Sequence, residues 1–208
     1  MKKKNWIDKV FQNTSSPKGF WGRMILRGMN CFHTSLSTWG LSYIDWQPAW
    51  NVLDIGCGGG ANVSRLLNLC PKGKIYGIDV SVESVAYARK KNRRLLGSRC
   101  FIELGDAVDL PYGDGTFDAI TAFETIYFWK DLQTAFSKVA RALRKGGFFL
   151  ICCESSNPNN TMWSSRIEGM TIYAAETLVA LLMQSGFENI TVHRQGEENI
   201  CVIARKKE

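Results

Sequence analysis

The nine residues from Val52 to Gly60, VLDIGCGGG, constrain this chain more than any other stretch. A short apolar run, Val52-Leu53-Asp54-Ile55, enters a turn made almost wholly of glycine, and Ala61 to Leu67 leaves it as a segment able to form a helix. Glycine lets the backbone turn tightly and lets a ligand come close, while a helix start presents N–H groups that lack intrahelical partners. Strand, glycine turn and helix are the parts of a nucleotide-type site. Asp54 is the unusual residue, a carboxylate inside an apolar strand. A buried charge is costly unless paired, so its expected partner is a cation or a ring of N–H donors.

Gly56-Cys57-Gly58-Gly59-Gly60-Ala61 satisfies the G-x-G-x-x-G/A pattern of dinucleotide-binding folds, so an NAD(P)-dependent reductase is one reading. An aspartate two residues before the first glycine disfavours it, because a pyrophosphate gains nothing from a nearby carboxylate. VLDIGCGGG instead resembles the first motif of class I S-adenosylmethionine-dependent methyltransferases. The resemblance implies that the loop at Gly56, Cys57 and Gly58 wraps the methionine end of S-adenosylmethionine, and that Asp54 helps order that loop and the cofactor's ammonium group.

Further along, Lys74 to Ile78 reads as a second strand ending in Asp79, followed by Val80 and by Ser81 as a helix N-cap. An acidic residue at that tip can accept hydrogen bonds from both ribose hydroxyls, in either cofactor. Arg99 to Leu104 is a third strand. The run GDAVDLPYGDGTFDAI after it resembles the same family, implying that Asp106 accepts from the adenine amine while the Ala107 N–H meets a ring nitrogen. Asp106 can also be read as a turn aspartate satisfied by its own backbone. Phe117 to Phe123 is a fourth strand, and ligands of open α/β sheets bind outside the carboxyl ends of the strands. Glu124, Tyr127 and Trp129 are therefore expected to face the transferable methyl, with Phe123 at the cofactor.

Phe123-Glu124-Thr125-Ile126 does not match the Asn/Asp-Pro-Pro-Tyr-type residues of DNA and RNA amino-methyltransferases, and Asn157-Pro158 follows a later strand. That departure points away from nucleic-acid bases and towards a small-molecule acceptor. Leu132 to Leu143 is an amphipathic helix, Arg144 to Gly147 a turn and Phe148 to Cys153 a fifth strand. Residues 154–171 read as a loop or short helices over the site. Ala175 to Ser185 is a helix, and Asn189 to Arg194 with Ile200 to Arg205 forms an antiparallel hairpin. The resemblance spans residues 52–205 and is closest to the ubiquinone/menaquinone-type branch, methyltransferase type 11. It implies a Rossmann-like α/β three-layer sandwich: a mostly parallel seven-stranded sheet, a C-terminal antiparallel hairpin and N-terminal helices.

The 208 residues suit one domain with a real core. Residues 1–50 are expected as a helical extension and residues 51–208 as the methyltransferase domain. Apolar spacing suggests one helix from Phe20 to Met29 and a second, capped by Asn30, to about Tyr43. Five of the seven tryptophans lie before residue 51, so this extension either packs on the sheet edge or forms a lid over a flat or apolar acceptor. Trp21, Trp39 and Trp129 are the candidate acceptor pocket. Methyl transfer from a sulfonium is an in-line displacement that needs a positioned, desolvated nucleophile, and a carbon or oxygen nucleophile also needs a base. His33, Glu124 and Tyr127 are the candidates, whereas His193 on a late strand is expected to be structural.

The net charge is +7, with +6 of it in residues 1–30 and further bases clustered at Arg89-Lys90-Lys91-Asn92-Arg93-Arg94. Such patches suit nucleic acid or an anionic membrane, or are solvated helix faces. No nucleic-acid reading motif accompanies them, so no specific nucleic-acid partner is expected. Seven cysteines without a C-x-x-C pair argue against a disulfide framework or a metal site and for a reducing cytoplasm. The N-terminus has no apolar run of a secretory leader, and no stretch reaches the roughly 18 apolar residues of a membrane span. A catalytically silent module that binds the cofactor and acts through a partner is the remaining alternative.

Overall fold

The computed structural model describes residues 34–208. Its elements are α1 (Thr34–Leu41), β1 (Val52–Ile55), α2 (Ala61–Leu69), β2 (Ile75–Asp79), α3 (Val82–Lys91), β3 (Cys100–Leu104), β4 (Phe117–Phe123), a 3-10 turn (Ile126–Phe128), α4 (Leu132–Ala142), β5 (Leu143–Cys153), α5 (Ala175–Gln184), β6 (Phe187–Gln195) and β7 (Asn199–Lys206). The seven strands form one sheet in the order β3-β2-β1-β4-β5-β7-β6. Strands β1 to β5 pair in parallel, and β7 runs antiparallel to both β5 and β6. The expected sandwich with its closing hairpin is thus the fold.

All four residues of β1 are buried, Asp54 among them, because helices cover both faces of this parallel strand. Successive side chains divide between two cores. Val52, Leu150 and Cys152 meet Leu36 of α1, Leu66 of α2 and Val85 of α3 on one face. Leu53, Phe149 and Cys153 meet Phe136 of α4 and Leu178 and Leu182 of α5 on the other. Sequential connections diverge between β1 and β4, which opens a crevice at their carboxyl ends.

Two boundaries differ from expectation. Helix α1 stops at Leu41 instead of reaching Tyr43, and the Trp46 indole Nε1 donates to the Leu41 carbonyl at 2.8 Å, satisfying an end-of-helix acceptor. The expected turn Arg144 to Gly147 lies inside β5. Leu143 pairs with Phe117 and Phe148 with Ala119, so the intervening residues bulge out of the ladder, with Gly146 at φ 68°.

Helix α1 sits close on the sheet because Gly40 lacks a side chain, and a Cβ there would overlap the Cys152 thiol. Tyr43, just beyond the helix, stacks on His193 of β6 with ring centroids 3.7 Å apart, so His193 has a packing role. The helix read over residues 20–29, the Asn30 cap, Trp21 and His33 fall outside the described residues. Among the described residues no helix is long and apolar enough to cross a membrane.

Candidate cofactor and acceptor site

The glycine loop is pinned before any ligand arrives. Both Gly56 N and Cys57 N donate to the Ile78 carbonyl, at 2.8 and 2.9 Å, which fastens the loop to the end of β2. Gly58, at φ 50°, faces open space, with no atom nearer than 4.0 Å to the position of a Cβ. Its backbone is therefore free to lie against a ligand. Gly60, at φ 73°, is there for close packing: a Cβ would fall 2.7 Å from Asn92 Nδ2 and 2.8 Å from Ala88 Cβ. The Cys57 thiol is buried beneath the loop beside Gly77, and burial pushes its pKa well above the ordinary thiol range, so only its backbone serves the site.

Asn92 is a positioning residue that sequence reading assigned only to a basic helix face. At the end of α3, its amide donates to the carbonyls of Gly60 at 3.1 Å and Ala88 at 3.0 Å, and its oxygen accepts from the Ser64 hydroxyl at 2.7 Å. An asparagine directly after a helix, opposite a glycine turn, was the available signal. Removing it orphans buried groups. Asn92→Ala is expected to lower the unfolding free energy by about 1–3 kcal/mol, read from urea melts.

Asp54 is 2% exposed. Its Oδ1 accepts from the Thr121 hydroxyl at 2.7 Å, and Thr121 is its register partner on β4. Within the fold its hydrogen-bond partner is therefore a neutral hydroxyl on the next strand, and the Arg65 cation acts on it more weakly. Burial raises the Asp54 pKa to about 7; the Thr121 hydrogen bond opposes the rise, the Asp79 charge adds to it and Arg65 opposes it. Near neutrality the carboxyl is thus poised, and a nearby cation would ionise it.

Asp79 joins the two loops of the crevice. Its Oδ2 accepts from Gly58 N and its Oδ1 from Ser81 N, both at 2.9 Å. The Ser84 side chain also hydrogen-bonds to this carboxylate, which leaves one lone-pair direction for a ligand hydroxyl. Burial raises its pKa against these hydrogen bonds. Val80, 58% exposed, and Leu104, 57% exposed and paired with Asp79 across β2 and β3, form an apolar shelf beside it. Asp106 Oδ1 accepts from Val108 N at 3.2 Å, so one oxygen is held by its own turn, and Ala107 is buried next to it.

Beyond β4, Phe123 is buried near Gly40 of α1. Glu124 has φ 55°, a left-handed conformation uncommon outside glycine and a mark of functional turns. Its Oε1 accepts from Glu154 N and, at 3.1 Å, from the Tyr127 hydroxyl, which itself accepts from Ser155 N at 3.0 Å. Tyr127 is buried, which raises its phenol pKa well above the usual value, so it keeps its proton at neutral pH and acts as a strut between β4 and the loop after β5. From the other side, Glu198 in the hairpin turn accepts from Ser156 N and Asn157 N at 3.3 Å and from Asn160 Nδ2 at 3.0 Å. Sequence reading missed this clamp, for a turn glutamate carries no local sign of a partner some 40 residues away. Trp129 is buried against Phe136, and its indole N–H donates at 3.3 Å to Thr125 Oγ1, which lies directly against Gly56 of the glycine loop. Trp39 is half-buried, edge-on to Tyr43.

Residues 53–151 match the family described as Methyltransferase domain. An O-methyltransferase, cnsE, of Penicillium expansum is 30% identical over 148 residues, covering 68% of this chain and 53% of that protein. The phosphoethanolamine N-methyltransferase of Triticum aestivum is 28% identical over 170 residues, covering 78% of this chain and 33% of that protein. The chain thus spans about half or less of the length of these curated relatives. Among solved structures, the complex between the Haloferax volcanii Trm112 methyltransferase activator and the putative methyltransferase superimposes with a TM-score of 0.79 at 19% identity, over 95% of this chain and 98% of that one, a likeness of fold. With its glycine loop, strand-end acids and closing hairpin in the positions described, the chain belongs to this methyltransferase-domain family.

Proposed function

We propose that this chain binds S-adenosyl-L-methionine in the crevice between β1 and β4 and transfers its methyl group to a small-molecule acceptor, aromatic or lipid-like. The observation that carries this reading is the pair of acids around the open Gly58 backbone: Asp79 with a hydrogen-bonding direction to spare, and Asp54 buried with one hydrogen bond, from a neutral hydroxyl. A ribose-bearing ligand with an ammonium and a sulfonium centre suits that pair, whereas a pyrophosphate would be repelled by it.

When bound, the cofactor supplies an activated methyl on a sulfonium. In this reading Asp79 accepts from a ribose hydroxyl, the Val80–Leu104 shelf and Ala107 border the adenine with Asp106 at its amine, and Asp54 faces the ammonium end through the loop of Gly56, Cys57 and Gly58. Glu124 and the loop from Glu154 to Asn160 hold the acceptor side, fixed by Tyr127 and Glu198 so that little reorganisation is needed on binding. Glu124 is the candidate to take a proton from the acceptor. Residues 1–50, with Trp21, His33 and Trp39, are assigned to covering the acceptor.

Calorimetric titration with S-adenosylmethionine, S-adenosylhomocysteine and NADH tests the reading. Micromolar binding of the two sulfur compounds and none of NADH is expected; binding of NADH alone would overturn it. Turnover with candidate acceptors then separates an enzyme from a silent cofactor-binding module, which the engagement of both Glu124 and Tyr127 in loop contacts would also suit.

A further inference from the structure

Charge is unevenly distributed along β2 and β3. Residues 84–102 hold six basic side chains and no acidic one, and residues 55–78 hold Arg65, Lys72 and Lys74 with no acid. Of these, Lys72, Lys74, Arg93 and Arg94 are exposed at the strand-start end, where the chain turns into β2 and β3. Arg99 welds the two turns together by donating to the carbonyls of Cys70 at 3.2 Å and Gly73 at 3.4 Å. Leu69 and Leu96 belong to the same turns and are 38% and 40% exposed. Among the described residues none of these four cations forms an ion pair. The carboxylates of β2, β3 and the segments that follow them, Asp79, Glu83, Glu103, Asp106 and Asp109, lie at or near the strand-end side, roughly 17 Å away for strands of this length, and Asp118 at the start of β4 is already paired with Arg144 at 2.8 Å.

We propose that this strand-start surface, built on Lys72, Lys74, Arg93, Arg94, Leu69 and Leu96, docks the protein on an anionic lipid surface. Clustered cations are drawn to acidic headgroups within a Debye length, and exposed leucines gain by entering the boundary between headgroups and acyl chains. The acids at the other end are repelled, which fixes one orientation and leaves the cofactor crevice facing water. A nucleic acid fits less well. Trp50, whose carbonyl lies against Gly73, is buried with Trp46 edge-on to it at 6.0 Å, and Tyr76 and Phe101 are stacked on each other at 5.0 Å, so these rings are spent on one another, and a phosphodiester gives the leucines nothing.

The test is flotation of the full chain with phosphatidylcholine vesicles, with and without about 30% phosphatidylglycerol, in low and high salt. Binding to the acidic vesicles alone, released by salt, is expected. Arg93→Glu with Arg94→Glu should weaken it by about tenfold or more, and Leu69→Ser with Leu96→Ser by a smaller factor. Thermal melts confirm that the variants fold, and Arg93→Gln with Arg94→Gln replaces the reversal if it does not. The proposal fails if neutral vesicles bind equally, if no vesicle binds, or if charge reversal changes nothing, which would assign binding to the seven bases of residues 1–33. It also fails if the same surface retains an RNA oligonucleotide and no vesicle.

Discussion

In Asp54→Asn protein, the ligand-free melting temperature at pH 8 is expected to rise while affinity for S-adenosylmethionine falls. Asp54 has its pKa raised from an ordinary 3.8 to about 7 in the fold. Between those values the folded protein holds a proton that the unfolded chain has lost, so stability falls as pH rises through this window and levels off above 7. Asparagine can still accept from the Thr121 hydroxyl and has no charge to bury. The variant should gain on the order of a few kcal/mol at pH 8, roughly 5–10 °C, and nothing at pH 4, where both forms are neutral. Binding carries the opposite sign. A cationic ligand favours the ionised carboxyl, so wild-type affinity should rise with pH up to about 7 relative to the variant, which lacks that component. Melting curves and calorimetry at several pH values read both effects. Coincident pH profiles for the two proteins would remove Asp54 from the binding account.

Asp79→Ala should cost affinity by about tenfold or more, the loss of a hydrogen bond to a charged acceptor. It should also destabilise the protein by about 1–3 kcal/mol, because Gly58 N and Ser81 N lose their acceptor. Asp79→Asn keeps one carbonyl oxygen, and its losses should fall between those of the wild type and the alanine variant. Calorimetry gives the first quantity and urea unfolding the second. If Asp79→Ala bound the cofactor as the wild type does, the carboxylate would only tie the loops together.

The parts of this site that could be read in the sequence are those where one local signal fixes both conformation and chemistry. Gly58 and Gly60 announce the turn, Asp79 ends a strand, and Ser81 caps the next helix, its hydroxyl accepting from Ser84 N at 3.2 Å. The residues that escaped reading act across the fold. Thr121 reaches Asp54 from 67 positions away, Asn92 reaches Gly60 from 32, and Glu198 holds Ser156 from 42. Parallel pairing and the hairpin return bring these together, and no periodicity encodes them. The bulge at Arg144 to Gly147 was read as a turn for a related reason: Gly146-Gly147 signals a bend, but only the partner strand shows that pairing resumes on both sides.

The six described cysteines are all reduced and buried, and they are not buried by the same element. Cys152 and Cys201 lie beneath α1, with Gly40 seated on them, whereas Cys57 lies beneath the glycine loop. A thiol under such cover cannot meet an alkylating reagent until its cover lifts. Labelling rates at these positions therefore clock two separate openings of the native molecule: undocking of the N-terminal helix and loosening of the glycine loop. A ligand resting on Gly58 would slow the second clock and leave the first running at its own pace.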